Sequence, residues 1–307
     1  MSHIYTIGET VYDLIFKENK PVSGTPGGAM LNSSVTLGRI GLPVHFISEI
    51  GKDKMGDLIL SFLNENNINT DQVRREKTIK TALAIAFLDK FQNATYDFYK
   101  YYPQQDYTIT IPNFKAGDFF LFGSFFALSE RYLSSIRLLI SAARKVGSIV
   151  LYDPNFRKAH LHELEELKPI IIDNIKSADI VRGSDEDFES IFGMSNPIKV
   201  WEQFGDEEKV LIYTQSHKGV TVVTNQIRNH YQAHKIKPVS TIGAGDNFNA
   251  GIVYSMYDKN LSRKDISLLD THTWDEIISM GIKFGTQACL TMENYLSKAD
   301  IDTLSYH

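Results

Sequence analysis

The sequence predicts an α/β fold: a mainly parallel central sheet covered by helices on both faces, with a small β lid standing off it. Three observations predict this. Short β-like runs alternate with longer helical patterns over most of the 307 residues, as expected where crossover helices join parallel strands. The composition, 43% hydrophobic and 22% charged, suits a chain with a sizeable buried core. Two stretches break the alternation with β-like runs that leave no room for a crossover helix.

Taken in order, Ile4 to Gly8 reads as the first strand and Gly28 to Ile40 as a helix. Val44 to Ile50 is a strand, and Met55 to Asn66 a helix with apolar Leu58, Ile59 and Phe62 on one face. Phe119 to Gly123 is a strand and Glu130 to Val146 a helix, then Ile149 to Tyr152 and Leu161 to Ser177 repeat the pair. Asp179 to Arg182, a helix near Asp185 to Phe192, and a strand from Val210 to Thr214 follow. Val11 to Phe16 interrupts the rhythm. So do Ala84 to Leu88 and Thr95 to Tyr99, which read as a hairpin joined by Asp89 to Asn93. These pieces are expected to form a lid, about residues 10–25 and 82–108, on a single domain spanning 1–307. A flap that builds a homodimer is the alternative role, and one element can serve both.

Composition excludes several classes of function. The net charge is −5, from 32 basic and 37 acidic residues, with no basic stripe for a nucleic acid. The run Val73 to Lys77 is expected to be a solvated turn. The single cysteine, Cys289, allows no intrachain disulfide and reads as a buried small hydrophobe. Met1 to Tyr5 lacks the features of a signal peptide, and Phe119 to Leu128 is too short to span a bilayer. A cytoplasmic protein without a membrane partner is expected.

The sharpest chemical signal is Ser240 to Gly251, where Gly243-Ala244-Gly245 leads directly into a helix with Asp246 in its first turn. Small residues allow close backbone approach, and first-turn N–H groups with the helix dipole suit an anion such as a phosphoryl group in transit. Asp246 would then accept the proton of an attacking hydroxyl late in the reaction, since a carboxylate pKa of about 4 cannot ionise an alcohol outright. Alone, the motif reads equally well as an N-capping turn. The second signal, Pro26 to Asn32, opens the first long helix: Gly27 and Gly28 would admit a sugar, and the Asn32 amide offers a donor and an acceptor. Asp13, just beyond the first strand, can accept from two neighbouring hydroxyls at the sheet edge where α/β folds bind ligands. Capping roles for Asp13 and Asn32 stay open.

These pieces, in this order, resemble the ribokinase-like sugar kinases of the PfkB family, from Ile4 to about Leu290. The N-terminal signature is matched by Gly27-Gly28, Asn32, Leu37 to Gly41 and Ile50 to Gly56, and the C-terminal one by Thr241 to Asp246, about 200 residues away. The resemblance implies a ribokinase-like three-layer sandwich and ATP-dependent phosphorylation of a small sugar. It implies Asp246 as base, Gly243, Ala244 and Gly245 as the anion hole, and Asp13, Gly27, Gly28 and Asn32 around the sugar. Ser184, Thr214, Gly219, Gly243 and Gly245 are implied on the nucleotide side, with Asp187 organising Mg²⁺ through water. Asp153 to Arg157 is similar to the form found in fructokinases and 2-keto-3-deoxygluconate kinases, which makes Arg157 a candidate phosphate or substrate contact.

Three departures stand out. Ser240 replaces an Asp tied to a monovalent-cation site in many relatives, which leaves K⁺ dependence open. Thr214 to Gly219 lacks the first glycine of the nucleotide-side pattern. Phe98 and Lys100 occupy the lid where sugar-acid kinases tend to place an arginine. D-fructose is the expected substrate, phosphorylated at a hydroxymethyl oxygen. The alternatives are 2-keto-3-deoxygluconate, with Lys100 or Arg157 receiving its carboxylate, then ribose or a nucleoside, and a non-catalytic sugar- or nucleotide-binding protein. No Gly-x-Gly-x-x-Gly follows the first strand and no Gly-Lys precedes Ser or Thr, which sets dinucleotide and P-loop enzymes aside.

Overall fold

Strands covered on both faces bury every position, and five runs among the described residues do so here: Ile4–Ile7, Phe119–Gly123, Ile149–Asp153, Val210–Thr214 and Val220–Val223. A computed structural model of the chain describes residues 2–88, 94–101 and 107–304. Its strands are β1 Ile4–Ile7, β2 Val11–Lys17, β3 Lys20–Gly27, β4 Val44–Gly51, β5 Ile68–Asn69, β6 Val73–Glu76 and β7 Lys80–Leu88. They continue with β8 Ala94–Tyr101, β9 Phe119–Gly123, β10 Ile149–Asp153, β11 Ile180–Ser184, β12 Val210–Thr214, β13 Val220–Val223 and β14 Arg228–Tyr231.

The large sheet has the order β14-β13-β12-β11-β10-β9-β1-β4-β5, with β6 also paired to β4. Its pairings are parallel from β12 through β5, and β13 and β14 close one edge as antiparallel strands. Period-two alternation divides each strand between two cores. Phe119, Leu121, Ile149 and Leu151 pack with Met30, Val35, Phe248 and Trp274 from helices Ala29–Ile40, Ala244–Asp258 and Thr271–Ala288. Phe120, Phe122, Val150 and Tyr152 pack with Ile136, Leu139, Ile171 and Phe188 from helices Glu130–Val146, Leu164–Ser177 and Asp185–Phe192. This is the predicted α/β sandwich, a sheet between two helical layers.

The small sheet has the order β3-β2-β7-β8. β2 turns into β3 through Glu18 and Asn19, both at positive φ (50° and 62°), as a two-residue hairpin turn requires. Ala84 pairs with Asp13 on one side and Phe98 on the other, so the three share one row and one face. Ala82, Ala84 and Ala86, all buried, line the middle of that face between β2 and β8. Of the stretches expected in the lid, the connection Asp89 to Asn93 and residues 102–106 lie outside the described residues.

Two local expectations need correction. Val73 to Lys77 is not a solvated turn: Val73–Glu76 is a strand parallel to β4, anchored because Val73 is buried and Arg75 is ion-paired to Asp57 at 2.7 Å. Residues 20–25, expected in the lid but given no element of their own, form β3 together with Pro26 and Gly27. Cys289 is half-buried just past the helix Thr271–Ala288, with burial raising its thiol pKa. Among the described residues no helix is long and apolar enough to cross a membrane.

Candidate active site

The helix Ala244–Asp258 begins at Gly243, which has φ 77° and lies so close to the Asn294 carbonyl that a Cβ would be 2.3 Å from it. Only glycine meets both demands. Gly245 packs on the Arg182 guanidinium, 2.8 Å from Nη1 to where a Cβ would stand. The Ala244 N–H donates to the Thr241 carbonyl at 3.3 Å, while the next N–H groups, of Gly245 and Asp246, have no helical carbonyl one turn back to reach.

Asp246 follows, buried, and its Oδ2 accepts a 2.8 Å hydrogen bond from Asn32 Nδ2. The Ser33 hydroxyl donates to the Asp246 carbonyl oxygen at 2.8 Å, and Thr36 Oγ1 lies 2.5 Å from Asn247 Oδ1. The helix Ala29–Ile40 is thereby stitched to the start of Ala244–Asp258 along one face, because Asn32, Ser33 and Thr36 recur at helical spacing. Burial pushes the Asp246 carboxyl up to about 6, helped by the nearby Asp153 charge. The Asn32 hydrogen bond and the charges of Arg157 and Arg182 act the other way. Asn32 Oδ1 is buried and has no hydrogen-bond partner among the described residues, which suits an acceptor for a ligand hydroxyl.

Asp13 reaches the same region from β2. A Cβ on Gly27, across the hairpin, would sit 2.2 Å from Asp13 Oδ2 and 3.7 Å from Asn294 Nδ2. Gly28, at φ 135°, lies against the Glu9 carbonyl. Burial alone raises Asp13 to about 6. Asn294 therefore touches both glycine turns, one beside Asp13 and one beside Asp246. Sequence reasoning missed it, since an isolated Asn in an irregular segment carries no pattern.

Ser184 and Thr214 are paired at the carboxyl ends of β11 and β12. Ser184 caps the helix Asp185–Phe192 in a capping box with Asp187. Asp187 Oδ1 accepts from the Phe156 N–H at 2.7 Å, and Oδ2 from the Ser184 N–H at 2.8 Å and hydroxyl at 2.6 Å. Burial raises its pKa, with Asp153 adding to the rise. Thr214 Oγ1 accepts from Arg182 Nη2 at 2.9 Å. Gly219, at φ 109°, packs on the Tyr231 carbonyl in the turn before β13. Arg182 Nη1 also donates to Asp153 Oδ2 at 2.9 Å, and Asn249 Nδ2 donates to the same oxygen at 2.6 Å. This buried network of Asp153, Arg182, Thr214 and Asn249 underlies the Gly-Ala-Gly turn. Sequence reading missed Arg182 and Asn249: Arg182 stands in an apolar strand, and Asn249 follows the Gly-Ala-Gly-Asp turn with no signal of its own.

Arg157 is exposed and close enough for its charge to act on Asp246. Phe98 is exposed on the Asp13 face of the small sheet. Lys100 Nζ is 2.6 Å from Glu9 Oε2 and 5.3 Å from the centre of the Phe98 ring. The Ser240 hydroxyl accepts the Ile242 N–H at 3.2 Å. No group of three or more His, Cys, Asp or Glu arranged to hold a metal occurs among the described residues.

A family model described as pfkB family carbohydrate kinase matches residues 1–293. Probable fructokinase-6, chloroplastic, of Arabidopsis thaliana is 29% identical over 252 residues, covering 80% of this chain and 64%, just under two thirds, of that protein. The fructokinase of Vibrio alginolyticus is 25% identical over 257 residues, covering 82% of this chain and 83% of that one. Aminoimidazole riboside kinase from Salmonella enterica, solved with aminoimidazole riboside and an ATP analog, superposes with a TM-score of 0.84 at 23% identity, over 99% of both chains. A fructokinase double mutant from Vibrio cholerae O395, in its fructose, ADP and potassium ion bound form, gives 0.84 at 22% identity, over 99% of this chain and 98% of that one. These structural likenesses carry the ribokinase-like fold over the length of the chain, and the family model adds the chemistry: the chain belongs to the pfkB family of carbohydrate kinases.

Proposed function

We propose that this kinase transfers the terminal phosphoryl group of ATP to a hydroxymethyl oxygen of D-fructose, with Asp246 as the base. The observation that carries the reading is the Asn32–Asp246 hydrogen bond, which holds a buried carboxylate at the mouth of a glycine-led helix start. The sugar hydroxyls are received by Asp13, by the unpartnered Asn32 Oδ1 and by the backbone at Gly27 and Gly28. Phe98 covers the sugar from the lid. The attacking hydroxyl gives its proton to Asp246 as its oxygen bonds to phosphorus, and the N–H groups of the turn formed by Gly243, Ala244 and Gly245 receive the phosphoryl oxygens. At pH 7 a group with a pKa of about 6 is mostly ionised, so the base is ready. Arg157 adds positive charge on the same side.

ATP rests against the strand ends at Ser184 and Thr214 and the turn at Gly219. Thr214 acts there mainly as a support for Arg182, since its hydroxyl is already engaged. A Mg²⁺ ion, when bound, offsets phosphate charge. Asp187 suits it only through water, because both carboxylate oxygens already accept protein hydrogen bonds. K⁺ dependence stays open, as Ser240 offers a hydroxyl rather than a carboxylate. Fructose is chosen because the curated relatives described above are named fructokinases. A cytoplasmic setting and a homodimer built through the lid complete the reading.

The test is ADP release by purified protein given Mg²⁺, ATP and a panel of sugars and sugar acids. Fructose should give the highest kcat/KM. Asp246→Asn should keep calorimetric binding of fructose and nucleotide while losing a factor of about 10²–10⁴ in kcat. Near wild-type turnover by that variant would remove Asp246 from the role of base.

A further inference from the structure

We propose that Glu9 sets the charge selectivity of the sugar pocket: by pairing with Lys100 it engages the lid cation that shares a face with Asp13, and so selects neutral sugars. This rests on the sugar-kinase reading above and goes beyond it, because it assigns the substrate class to one ion pair.

Lys100 and Phe98 are two residues apart on β8 and share a face of the small sheet. That face also carries Asp13, through the row Asp13–Ala84–Phe98. Lys100 is therefore a lid cation on the face that carries Asp13. Its ammonium is 2.6 Å from Glu9 Oε2, with both side chains at least two-thirds buried. Glu9 comes from the body, not the lid: it follows β1, and its carbonyl packs against Gly28 at the start of the sugar-side helix. The pair thus spans from lid to body beside the sugar glycines.

Two other cations around the site are committed as well, and Arg157 lies away from the lid. Arg182 pairs with Asp153 at 2.9 Å and Arg131 with Glu49 at 2.7 Å. Arg157 acts on Asp246, at the reacting end. Asp13 is in no ion pair among the described residues, and its carboxylate already suffers from burial. A ligand carboxylate beside Asp13 would meet a like charge with no free partner, which costs affinity. A neutral polyol instead brings hydroxyl donors to Asp13. Sequence alone offered Lys100 as a receptor for a sugar acid; its engagement by Glu9 withdraws that offer. A neutral Gln at position 9 would free the ammonium for a ligand carboxylate.

The experiment compares wild type, Glu9→Gln, and Glu9→Gln with Lys100→Met. Each is titrated by calorimetry with D-fructose and with 2-keto-3-deoxygluconate, and each is assayed for kcat/KM on both with Mg²⁺ and ATP. The quantity read is the acid-to-neutral ratio. Glu9→Gln should raise that ratio at least tenfold over wild type in binding and in kcat/KM. Adding Lys100→Met should bring it back to within threefold of wild type. A pair that only props the lid would change both sugars alike and leave the ratio fixed, which overturns the proposal. A wild type that prefers the acid overturns it too. The binding ratio reads out even if neither sugar is phosphorylated, in which case the choice of fructose fails by itself. Should Glu9→Gln fold poorly, Glu9→Ser carries the same expectation and is judged by the same ratio.

Discussion

The central sheet and the small sheet each bring one acid to the site, and they hold it differently. Asp246 stands on the central body, buried and hydrogen-bonded by Asn32, with Arg157 and Arg182 close enough to offset part of its burial. Asp13 stands on a sheet whose site face is lined by small alanines, and burial alone perturbs it. Both are raised to about 6. The body thus fixes its acid in one geometry suited to proton transfer. On the proposed function, the small sheet leaves its acid for a ligand's donors, which would make Asp13 a binding group whose energy is realised only with sugar present.

The largest effect should come from the body's wiring. Arg182→Met would leave Asp153, fully buried, with Asn249 as its remaining side-chain partner. Breaking a buried pair on one side costs about 3–5 kcal/mol. Urea unfolding should show a loss of that size, and Asp153→Asn in the same chain should recover part of it. A loss near zero would mean the network is ornamental, and the contrast between a wired body and a bare lid would fail.

A sharper test of the same contrast is the acid limb of kcat/KM for the sugar, which reports ionisation of the free enzyme. With two carboxylates near 6 that must both be ionised, log kcat/KM should fall below pH 6 with a slope approaching two. At pH 5 that is a loss of about a hundredfold, since each group is then about nine-tenths protonated. Asp13→Asn should start from a lower kcat/KM but fall with a slope of one, because Asp246 alone remains to titrate. An unchanged slope in that variant would take Asp13 out of the site.

What could be read from the sequence follows physical locality. The helix Glu130–Val146 and the strand Phe119–Gly123 fall where their periodicity and flanking residues put them, since apolar spacing alone sets each. The Gly243 to Asp246 turn is equally local: two glycines and an acid before an apolar helix already contain the geometry. Arg182, Asn249 and Asn294 depend on what the fold brings beside them, with Asp153 and Arg182 29 residues apart and Asp153 and Asn249 96 apart. No periodicity records such a meeting. The pairing of Lys100 with Glu9, 91 residues away, belongs to the same class, and so the charge available to a substrate could be read only after folding. β6 was missed for a related reason: a strand carrying Arg74, Arg75 and Glu76 looks like a surface turn until β4 is placed beside it.

The smallest expected effect concerns stability, and its sign separates the lid acid from an ordinary surface carboxylate. Asp13 has a folded pKa of about 6, above the value near 4 it takes in the unfolded chain. Between those values the folded state binds more protons than the unfolded one, so stability falls as pH rises through that window. Above pH 6 the full cost is present, about 1–3 kcal/mol for a shift of two units in a group that is not wholly buried. Asp13→Asn removes the charge and should raise the urea midpoint at pH 7.5. The gain should shrink steadily from pH 6 to pH 4, where the wild-type carboxyl is neutral in the folded state and about half neutral in the unfolded one. A gain of equal size at both ends would point to packing rather than charge. A loss at pH 7.5 would show that Asp13 is paired after all, and the asymmetry between the two acids would disappear.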